Sequence, residues 1–405
     1  MKIGIIREGK TPPDSRVPLT PKQCAFIANK YPIDIKVQSS PNRCYSDEEY
    51  AREGINVVDD VSDCDVLMGV KEVPIENLVE GKIYFFFSHT IKKQSYNRKL
   101  LQEVLKKKIQ LIDYETLKNE KGQRVIAFGK FAGMVGAHNG IMTYGMRTRA
   151  FDLKRMKDFY DYAEAQEVYK KLELPPLKIV LTGTGRVGQG AALVLEDMGI
   201  KKVDPTEYLS KDFNYPVFTQ LESGDYAERI DGSNFELSHF FSEPQLYKGI
   251  FPPYTKVSDI MINGVYWDNQ APVFFTPEEM KSSDFSIKTI ADITCDIAPV
   301  SSIPSTLRPS TIADPIYGYD PETGSETEPF KENVVDIMAI DNLPNELPRD
   351  ASKAFGEQFL EHVVEELMDR NNSETIIGAT IAINGHLGRD YQYLSDYAEI
   401  KVGNN

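Results

Sequence analysis

The sequence predicts an α/β protein made of two doubly wound domains, the first of them discontinuous. Three observations support this fold. Short apolar segments alternate with helical patterns over residues 1–130, a glycine-rich turn follows an apolar segment at residues 178–188, and residues 345–405 return to the pattern of the first domain. Such alternation is typical of a parallel sheet that is covered by helices on both faces.

The composition limits the kinds of ligand. The 405 residues carry 46 basic and 61 acidic side chains, a net charge of −15. Nucleic acids and anionic membranes select basic surfaces, so we expect neither as a partner and favour small molecules. Neither a membrane span nor a signal peptide is evident, which favours the cytoplasm. Cys24, Cys44, Cys64 and Cys295 lack metal-ligand spacing, which predicts reduced thiols and no metal site.

The first domain is predicted to contain five strands. The strands are residues 2–6, 34–37, 66–70, 83–87 and 109–112, and helices begin at Pro21, at Asp47 and near Gln94. Thr20 with Gln23 and Ser46 with Glu49 have the spacing of capping boxes at the first two helix starts. Because this domain has no glycine fingerprint, we expect it to bind the substrate.

Charged side chains follow the predicted strands, at the sheet edge where open α/β sheets bind their ligands. They are Arg16 after the first strand, Lys71 and Glu72 after the third, His89, Lys92 and Lys93 after the fourth, and Glu115 and Arg124 after the fifth. Five of these residues are cations, in a chain of net negative charge. Their placement predicts a site for a substrate that bears carboxylates.

Residues 128–172 have a long helical pattern, which we interpret as the crossover between the domains. Gly129, Gly133, Gly136 and Gly140 lie near its start. These glycines favour either a close approach to a cofactor or tight helix packing, and the sequence leaves both open. His138 lies among them, and we interpret it as a packed helix histidine.

Residues 131–344 are predicted to form a dinucleotide-binding domain. The segment 178–182 leads through Gly183, Gly185 and Gly188 into a helical pattern. The first glycine permits the tight turn, the second lets the backbone approach a pyrophosphate, and the third allows close packing of the helix. The predicted cofactor-binding residues are Gly183, Thr184, Gly185, Arg186, Val187, Gly188, Asp204, Asn263 and Gly264.

The remainder of this domain is less regular. Asp204 or Glu207 has the spacing of the acid that binds the adenosine ribose. Residues 205–258 show no period, which predicts a lid, an insertion or an elaborated surface. Strands are predicted again at 260–264, 289–294 and 335–340, followed by a helix at 351–368 and an extended segment at 375–383. We infer that the chain returns to the first domain near Asp341, so that this domain comprises residues 1–130 and 345–405.

Five segments, taken together, resemble a known family. They are FFFSHTIKKQ, LIDYETLKNEKGQRVIAFGKFAGMVG, LTGTGRVGQG, MINGVYWDN and IDNLPNELP. In this order they are similar to the lysine-ketoglutarate reductase (saccharopine-forming) domain of the aminoadipic semialdehyde synthase type. That domain lies within the alanine dehydrogenase, transhydrogenase and lysine-forming saccharopine dehydrogenase family. The resemblance implies two Rossmann-like domains that flank a cleft, with the active site in the cleft.

The resemblance also implies roles for single residues. Lys71 and His89 match the family's acid–base residues. The residues that match substrate-binding positions are Arg16, Glu72, Lys92, Glu115, Arg124 and Asp341. The implied cofactor is NAD or NADP. The implied reaction is a hydride transfer at a carbon–nitrogen bond that interconverts saccharopine with L-lysine and 2-oxoglutarate.

Two other functions stay open at this stage. One is an alanine dehydrogenase-like amino-acid dehydrogenase that uses ammonia, and the other is a non-catalytic, NAD(P)-binding or transhydrogenase-like protein. In bifunctional relatives a saccharopine-oxidising domain is fused to this one, and these 405 residues could not supply it. A separate saccharopine-oxidising enzyme is therefore a candidate pathway partner. The choice between NAD and NADP, the physiological direction and the oligomeric state also stay open.

Overall fold

The computed structural model describes residues 1–399. The strands are β1 (Lys2–Ile5), β2 (Asp34–Gln38), β3 (Asn56–Val58), β4 (Val66–Met68), β5 (Ile83–Phe86), β6 (Gln110–Asp113), β7 (Lys178–Thr182), β8 (Lys201–Lys202), β9 (Val217–Leu221), β10 (Ala227–Arg229), β11 (Tyr247–Gly249), β12 (Ile260–Asn263), β13 (Thr289–Asp292), β14 (Tyr317–Asp320), β15 (Ser325–Thr327), β16 (Val335–Met338), β17 (Thr380–Ile383) and β18 (His386–Leu387).

The helices, in the same chain order, are α1 (Pro21–Lys30), α2 (Asp47–Arg52), α3 (Arg98–Lys106), α4 (Gly129–Thr148), α5 (Tyr162–Tyr169), α6 (Arg186–Asp197), α7 (Pro205–Ser210), α8 (Ser223–Tyr226), α9 (Leu237–Ser242), α10 (Pro252–Thr255), α11 (Pro277–Met280), α12 (Pro348–His362), α13 (Val364–Met368), α14 (Glu374–Ala379) and α15 (Ser395–Ala398). Short 3₁₀ turns lie between several of them. Among residues 1–399, no helix combines the length and the apolar character that crossing a membrane requires.

The first compact unit comprises residues 1–128 and the segment from Pro348 onward. Its sheet has the order β18-β17-β6-β5-β4-β1-β2-β3. Strands β1 to β6 are parallel, whereas β17 runs antiparallel to β6 and β18 antiparallel to β17. The strand order reverses between β1 and β4, the point at which doubly wound sheets bind ligands.

Local sequence explains the elements of this unit. β4 and most of β5 are buried, as expected for strands covered on both faces. Both predicted capping boxes are confirmed: the side chains of Thr20 and Ser46 accept the N–H groups of Gln23 and Glu49. The returning helix α12 packs Phe355 into the same core cluster.

The second compact unit comprises Gly129–Leu347. Its sheet has the order β15-β14-β16-β13-β12-β7-β9-β8. Strands β8, β9, β7, β12, β13 and β16 are parallel, whereas β14 and β15 form an antiparallel hairpin at the edge beside β16. A small antiparallel sheet of β10 and β11 accompanies it. The central strand β7 lies between β9 and β12, with Thr182 opposite Leu221 on one side and Asn263 on the other.

Several stretches differ from the prediction. The first domain contains a strand that was not predicted, β3, and the predicted helix 351–368 is divided into α12 and α13. The segment 205–258 contains β9, a strand of five residues too short to show a period. The long helix ends at Thr148, because Arg149 adopts a left-handed backbone (φ 56°) and the ring of Phe151 packs beside Gly145. Residues 374–379 form α14 instead of an extended segment.

The glycines of α4 serve helix packing. A Cβ on Gly133 would lie 1.9 Å from the backbone oxygen of Val187 in α6, and a Cβ on Gly140 would lie 2.8 Å from Cβ of Ala291 in β13. On the α6 side, a Cβ on Gly190 would meet the backbone oxygen of Lys130 at 2.0 Å. The sequence left open whether these glycines allow a cofactor to approach or allow tight helix packing. At these positions the structure supports helix packing.

His138 is a buried core histidine, as predicted. Its Nδ1 lies 2.6 Å from the Tyr169 hydroxyl and its Nε2 lies 2.8 Å from the backbone oxygen of Lys154. The carbonyl can only accept, so Nε2 carries the proton and Nδ1 accepts from the tyrosine. Burial lowers the pKa of His138 to about 4.

Candidate functional site

The first unit brings its predicted site residues together at the carboxyl ends of its parallel strands. The loop after β1 carries Arg16, the loop after β4 carries Lys71 and Glu72, the loop after β5 carries His89 and Lys92, and the loop after β6 carries Glu115 and Arg124. Side-chain contacts pair His89 with Glu72, and Lys92 and Arg124 with Glu115, and the ring of Phe87 lies against both His89 and Arg124. We call the seven residues on these loops the charged cluster. Phe87 and Phe128 lie within it, and their rings are 5.9 Å apart.

His89 is paired with Glu72. Nδ1 of His89 lies 2.6 Å from a carboxylate oxygen of Glu72, whose other oxygen accepts from Lys10 at 3.1 Å. Burial opposes ionisation of Glu72, but the hydrogen bond and charge of His89, aided by Lys10, outweigh it and lower the pKa of Glu72 to about 2. The His89 ring also stacks on Phe87, with ring centroids 6.4 Å apart.

Lys71 is held through its backbone by Glu8, a residue that the sequence analysis missed. The Glu8 carboxyl group accepts the N–H groups of Val70 and Lys71 at 2.5 and 3.0 Å. Burial raises the pKa of Glu8 to about 8 and lowers the pKa of Lys71, on which nearby Arg16 acts in the same direction. The only sequence signal for Glu8 was its place just after the first strand.

Arg16 is buried in an ion pair that was not predicted. Its Nε and one terminal nitrogen donate to the two carboxylate oxygens of Asp14 at 2.9 and 2.6 Å. The guanidinium carbon also lies 4.3 Å from the ring centroid of Phe128. Arg16 is therefore rigidly placed, and part of its charge is balanced by Asp14.

Glu115 lies between two cations. Lys92 approaches it to 3.3 Å and Arg124 to 3.8 Å. Arg124 also donates to the backbone oxygen of Ile126 at 2.7 Å and lies over the Phe87 ring at 5.5 Å. Lys93, counted among the five cations, lies instead over the ring of Tyr393 at 5.2 Å.

The second unit contains the glycine fingerprint between β7 and α6. Gly183 has φ +95°, and a Cβ there would lie 2.8 Å from the backbone oxygen of Gly264. A Cβ on Gly188 would lie 2.0 Å from the backbone oxygen of Gly183, whereas a Cβ on Gly185 would meet nothing within 4 Å. The first and third glycines are thus required by the turn itself. The second lies at the start of α6, without a side-chain cap, and its exposed backbone suits a phosphate.

A cavity of about 420 Å³ adjoins this turn. Residues 183–185 form one side, and the rest of its lining includes Glu222, Tyr226, Gly264 and Tyr266. A second cavity of about 400 Å³ shares Tyr226 and Tyr266 with it and adds the ring of Trp267. An open glycine backbone beside a partly aromatic cavity fits the phosphate and base of a nucleotide.

The structure does not bring Asp204 to this cavity. Its side chain accepts the N–H of Thr206 at 2.8 Å and so caps α7. The strand beside β7 is β9, which the sequence analysis missed, and the acid at the end of β9 is Glu222. The short apolar run Val217–Leu221, followed directly by an acid, was the available signal.

The Asn263 side chain is engaged inside the unit. Its oxygen accepts from the Thr182 hydroxyl at 2.9 Å, and its amide nitrogen donates to Asp292 and Ser302 at 3.0 and 2.9 Å. Both amide hydrogens therefore have acceptors within the unit, and these hydrogen bonds fix the end of β12. Asp341 is exposed just after β16 and belongs to the second unit. Its N–H donates to the backbone oxygen of Ser310 at 3.2 Å.

Comparison with known proteins gives a family match and several relatives. Residues 4–135 match the family model described as alanine dehydrogenase/PNT, N-terminal domain. The mitochondrial alpha-aminoadipic semialdehyde synthase of Mus musculus is 29% identical, over 98% of this chain and 48% of its own length. The saccharopine dehydrogenase (NAD(+), L-lysine-forming) of Emericella nidulans is 25% identical, over 92% of this chain and 93% of its own length. The chain thus spans about half the length of the synthases that it matches.

Solved structures share the fold. An L-alanine dehydrogenase superposes with a TM-score of 0.66 at 16% identity, covering 98% of this chain and 99% of its own. A transhydrogenase from Sinorhizobium meliloti does so with a TM-score of 0.56 at 12% identity, covering 96% and 98%. These likenesses confirm the predicted α/β fold, and the relatives confirm the resemblance seen in the sequence segments.

Proposed function

On the premise that this chain is a relative of the aminoadipic semialdehyde synthases and the saccharopine dehydrogenases, we propose that it interconverts saccharopine with L-lysine and 2-oxoglutarate. The broader prediction, an oxidoreductase of the dehydrogenase type, is confirmed by its relatives. The observation that carries the proposal is the charged cluster, which places His89 and Lys71 on strand-end loops of the same sheet as the cations Arg16, Lys92 and Arg124.

The cofactor of the proposed reaction is a nicotinamide dinucleotide, which donates or accepts the hydride when it is bound. The backbone at Gly185 would hold its pyrophosphate at the start of α6, in the turn that Gly183 and Gly188 permit. The open space beside Gly185 supports this assignment, since a side chain there would meet only the ligand. The aromatic rings of Tyr226 and Tyr266 would enclose the adenine.

Proton transfer is assigned to His89 and Lys71. Forming an imine from the lysine amine and the keto acid requires protons to move at the nitrogen and at the departing oxygen. The contact with Glu72 occupies Nδ1 of His89, so that Nε2 is the nitrogen that exchanges a proton with the substrate. The lowered pKa of Lys71 brings its amine closer to neutral pH, where it can act as a base.

The charge of the cluster supports a substrate with several carboxylates. Five cations, Lys10, Arg16, Lys71, Lys92 and Arg124, lie among four acids, Glu8, Asp14, Glu72 and Glu115, and the raised pKa of Glu8 reduces its share of the negative charge. The group as a whole therefore has an excess of cations. Saccharopine carries three carboxylates and pyruvate one, so the larger substrate matches this excess better.

Turnover assays test the proposal. Purified protein is given NADH or NADPH with three substrate sets: L-lysine and 2-oxoglutarate, ammonia and pyruvate, or a keto acid without an amine. We expect lysine with 2-oxoglutarate to be turned over best. Arg124→Lys should raise the KM for 2-oxoglutarate with little effect on nucleotide affinity, because lysine cannot bind a carboxylate through two parallel hydrogen bonds. Arg389→Lys, at an exposed ion pair with Glu374, is the matched control.

Other results would favour the alternatives. If ammonia with pyruvate is the better pair, the protein is an alanine dehydrogenase-like enzyme. If it binds nucleotide but turns over none of the three sets, the non-catalytic function replaces the enzymatic one.

The compartment and the pathway partner stay proposals. We retain the cytoplasm as the predicted compartment, although the name of the mouse relative places that protein in mitochondria. Fractionation of the source cells, with detection of this chain, decides between the two. A separate saccharopine-oxidising enzyme stays a candidate pathway partner.

A further inference from the structure

Consecutive residues after β4 carry or contact both groups to which proton transfer is assigned. Lys71 supplies its own amine. The carboxylate of the next residue, Glu72, lies 2.6 Å from Nδ1 of His89. The position of the backbone at residues 70–72 therefore affects both groups.

The side chain of Glu8 holds this backbone. One carboxyl oxygen accepts the N–H of Val70 at 2.5 Å, and the other accepts the N–H of Lys71 at 3.0 Å. Two such bonds at once fix the orientation of the segment as well as its distance. The N–H of Ile6 donates to the carbonyl of Met68 at 2.9 Å, at the end of the pairing between β1 and β4. The Glu8 side chain thus extends this pairing beyond the two strands.

Strand β5 holds the other side of the segment. The N–H of Gly69 donates to the carbonyl of Phe85 at 2.9 Å, and the carbonyl of Val70 accepts from the N–H of Phe87 at 3.0 Å. These bonds do not involve residue 8. We therefore expect a change at residue 8 to displace the segment 70–72 without unfolding it.

The position of Glu8 is costly for a carboxylate. Burial opposes its charge, as does the nearby Asp14, whereas the two N–H groups and Arg16 favour the charge and lower its pKa. Burial also raises the pKa of Tyr114, and the charge of Glu8 acts on it in the same direction. Carboxyl groups with a shifted pKa are common at functional sites, where the cost is offset by the role of the group.

We propose that Glu8 is a positioning residue for proton transfer: by fixing residues 70–72 it places the amine of Lys71 directly and the ring of His89 through Glu72. The inference rests on the proposed function, which assigns acid–base roles to Lys71 and His89. It adds a residue whose role requires no contact with the substrate.

Kinetics of the full chain with L-lysine, 2-oxoglutarate and NADH or NADPH test the inference. Glu8→Gln keeps nearly the same shape but has only one acceptor oxygen, so it should lose one of the two bonds. We expect kcat to fall about 10- to 100-fold, the scale of the loss when a reacting group is misplaced by about 1 Å. The KM for 2-oxoglutarate and the nucleotide affinity should hold, because Arg124 and the fingerprint are unchanged.

A second variant and a control accompany Glu8→Gln. Glu8→Asp keeps the charge and both oxygens but is one methylene shorter, so it should lower kcat as well. It also gives the same comparison if Glu8→Gln fails to fold. Glu76→Gln, at an exposed acid between β4 and β5, is the matched control and should keep the kcat of the unaltered chain.

Double variants show whether Glu8 acts through the two groups. In Lys71→Met and in His89→Gln, adding Glu8→Gln should lower kcat by a smaller factor than in the unaltered chain, because a group that Glu8 places has already been removed. An undiminished factor in either background would overturn the inference, as would near-normal turnover in Glu8→Gln.

A spectroscopic measurement separates the inference from the proposed function. In nitrogen-15 spectra of the five histidines, His89→Gln identifies the signals of His89 by their loss. Glu8→Gln should shift the Nδ1 signal of His89 toward its position in Glu72→Gln, and Glu76→Gln should not. If lysine and 2-oxoglutarate are not turned over but this shift occurs, the proposed function fails and the placement by Glu8 stands. If they are turned over and Glu8→Gln changes neither kcat nor the signal, the inference alone fails.

Discussion

His89 and Lys71 are held in place by different means. His89 has a left-handed backbone (φ 52°) directly after β5, and the preceding residue, Ser88, is anchored to Asp113 by its N–H and its hydroxyl at 2.9 and 2.5 Å. Such a conformation is uncommon for residues other than glycine, although histidine adopts it more often than most. Lys71 is instead fixed through its N–H by Glu8.

We expect His89→Gln and Lys71→Met each to lower kcat by roughly 10²- to 10⁴-fold, the usual contribution of a positioned acid–base group. Nucleotide affinity should be unchanged, because the fingerprint lies in the second unit. Steady-state kinetics across pH, combined with nucleotide titration, measure both quantities.

His362→Gln is the control, since that histidine is partly exposed on α12 and its contact is with the neighbouring Glu361. Near-normal turnover in His89→Gln, with an unaltered pH–rate profile, would reduce His89 to a packing role. The same result for Lys71→Met would do so for the lysine.

Helix α4 packs directly against α6, the helix that begins at the fingerprint turn. It crosses α6 at Gly133 and Gly190, where the two backbones approach too closely for any side chain. Because α6 begins at the fingerprint, this contact also fixes the turn that would hold the pyrophosphate. Close approach of this kind is why helix interfaces retain glycine despite its low helix propensity.

Gly133→Ala should destabilise the second unit by about 1–3 kcal/mol, the usual cost of overpacking, although alanine favours helices intrinsically. The added methyl would lie 1.9 Å from the backbone oxygen of Val187, so the helices must separate. Thermal unfolding and nucleotide titration should show a lower midpoint and weaker binding.

Gly129→Ala, at the first residue of the same helix, is the matched control. Its added Cβ would meet Cβ of Arg186 at 3.5 Å, an ordinary contact, so the unfolding midpoint should hold or rise. Equal midpoints for the two variants would show that the crossing is looser than the structure indicates.

At the scale of the whole molecule, one ionisable group in each unit, the partly buried Glu8 and the buried His138, contributes to stability, and the two contributions depend on pH in opposite directions. The folded-state pKa of Glu8, in the first unit, is raised from 4.5 to about 8. Its contribution to stability is complete below pH 4.5 and is lost as the pH rises through about 8. The folded-state pKa of His138, in the second unit, is lowered from 6.5 to about 4. Its contribution is complete above pH 6.5 and is lost as the pH falls through about 4.

We therefore expect the first unit to lose stability between pH 6 and 8, by at most about 1.4 kcal/mol per pH unit from Glu8. The second unit should lose stability between pH 6.5 and 4.5. Hydrogen exchange read by mass spectrometry follows peptides from each unit separately, which matters because a chain of two units need not unfold in one step.

Glu8→Gln should flatten the alkaline loss in the first unit, whereas Glu76→Gln, at an exposed acid, should not. A first unit whose stability is level from pH 6 to 8 in the unaltered chain would contradict the raised pKa of Glu8. Likewise, a second unit whose stability does not change between pH 6.5 and 4.5 would contradict the lowered pKa of His138.

The sequence by itself determined what depends on neighbours along the chain. The alternation of apolar segments predicted the α/β class, the spacing of Thr20 with Gln23 predicted a cap, and the three glycines predicted a turn. These features are local, because a strand end, a cap and a fingerprint turn are each formed within a few residues. The assignment of His89 and Lys71 to catalysis came from resemblance and stays a proposal.

Only the tertiary structure decided what depends on pairing between distant segments. Asp204 has the expected spacing from the first glycine, yet β9 pairs with β7 and presents Glu222 instead. Likewise, the contact of Glu8 with Lys71 joins residues 63 positions apart. Strand order and backbone contacts of this kind depend on which surfaces pack against each other in the fold. They therefore cannot be predicted from the spacing of residues along the chain.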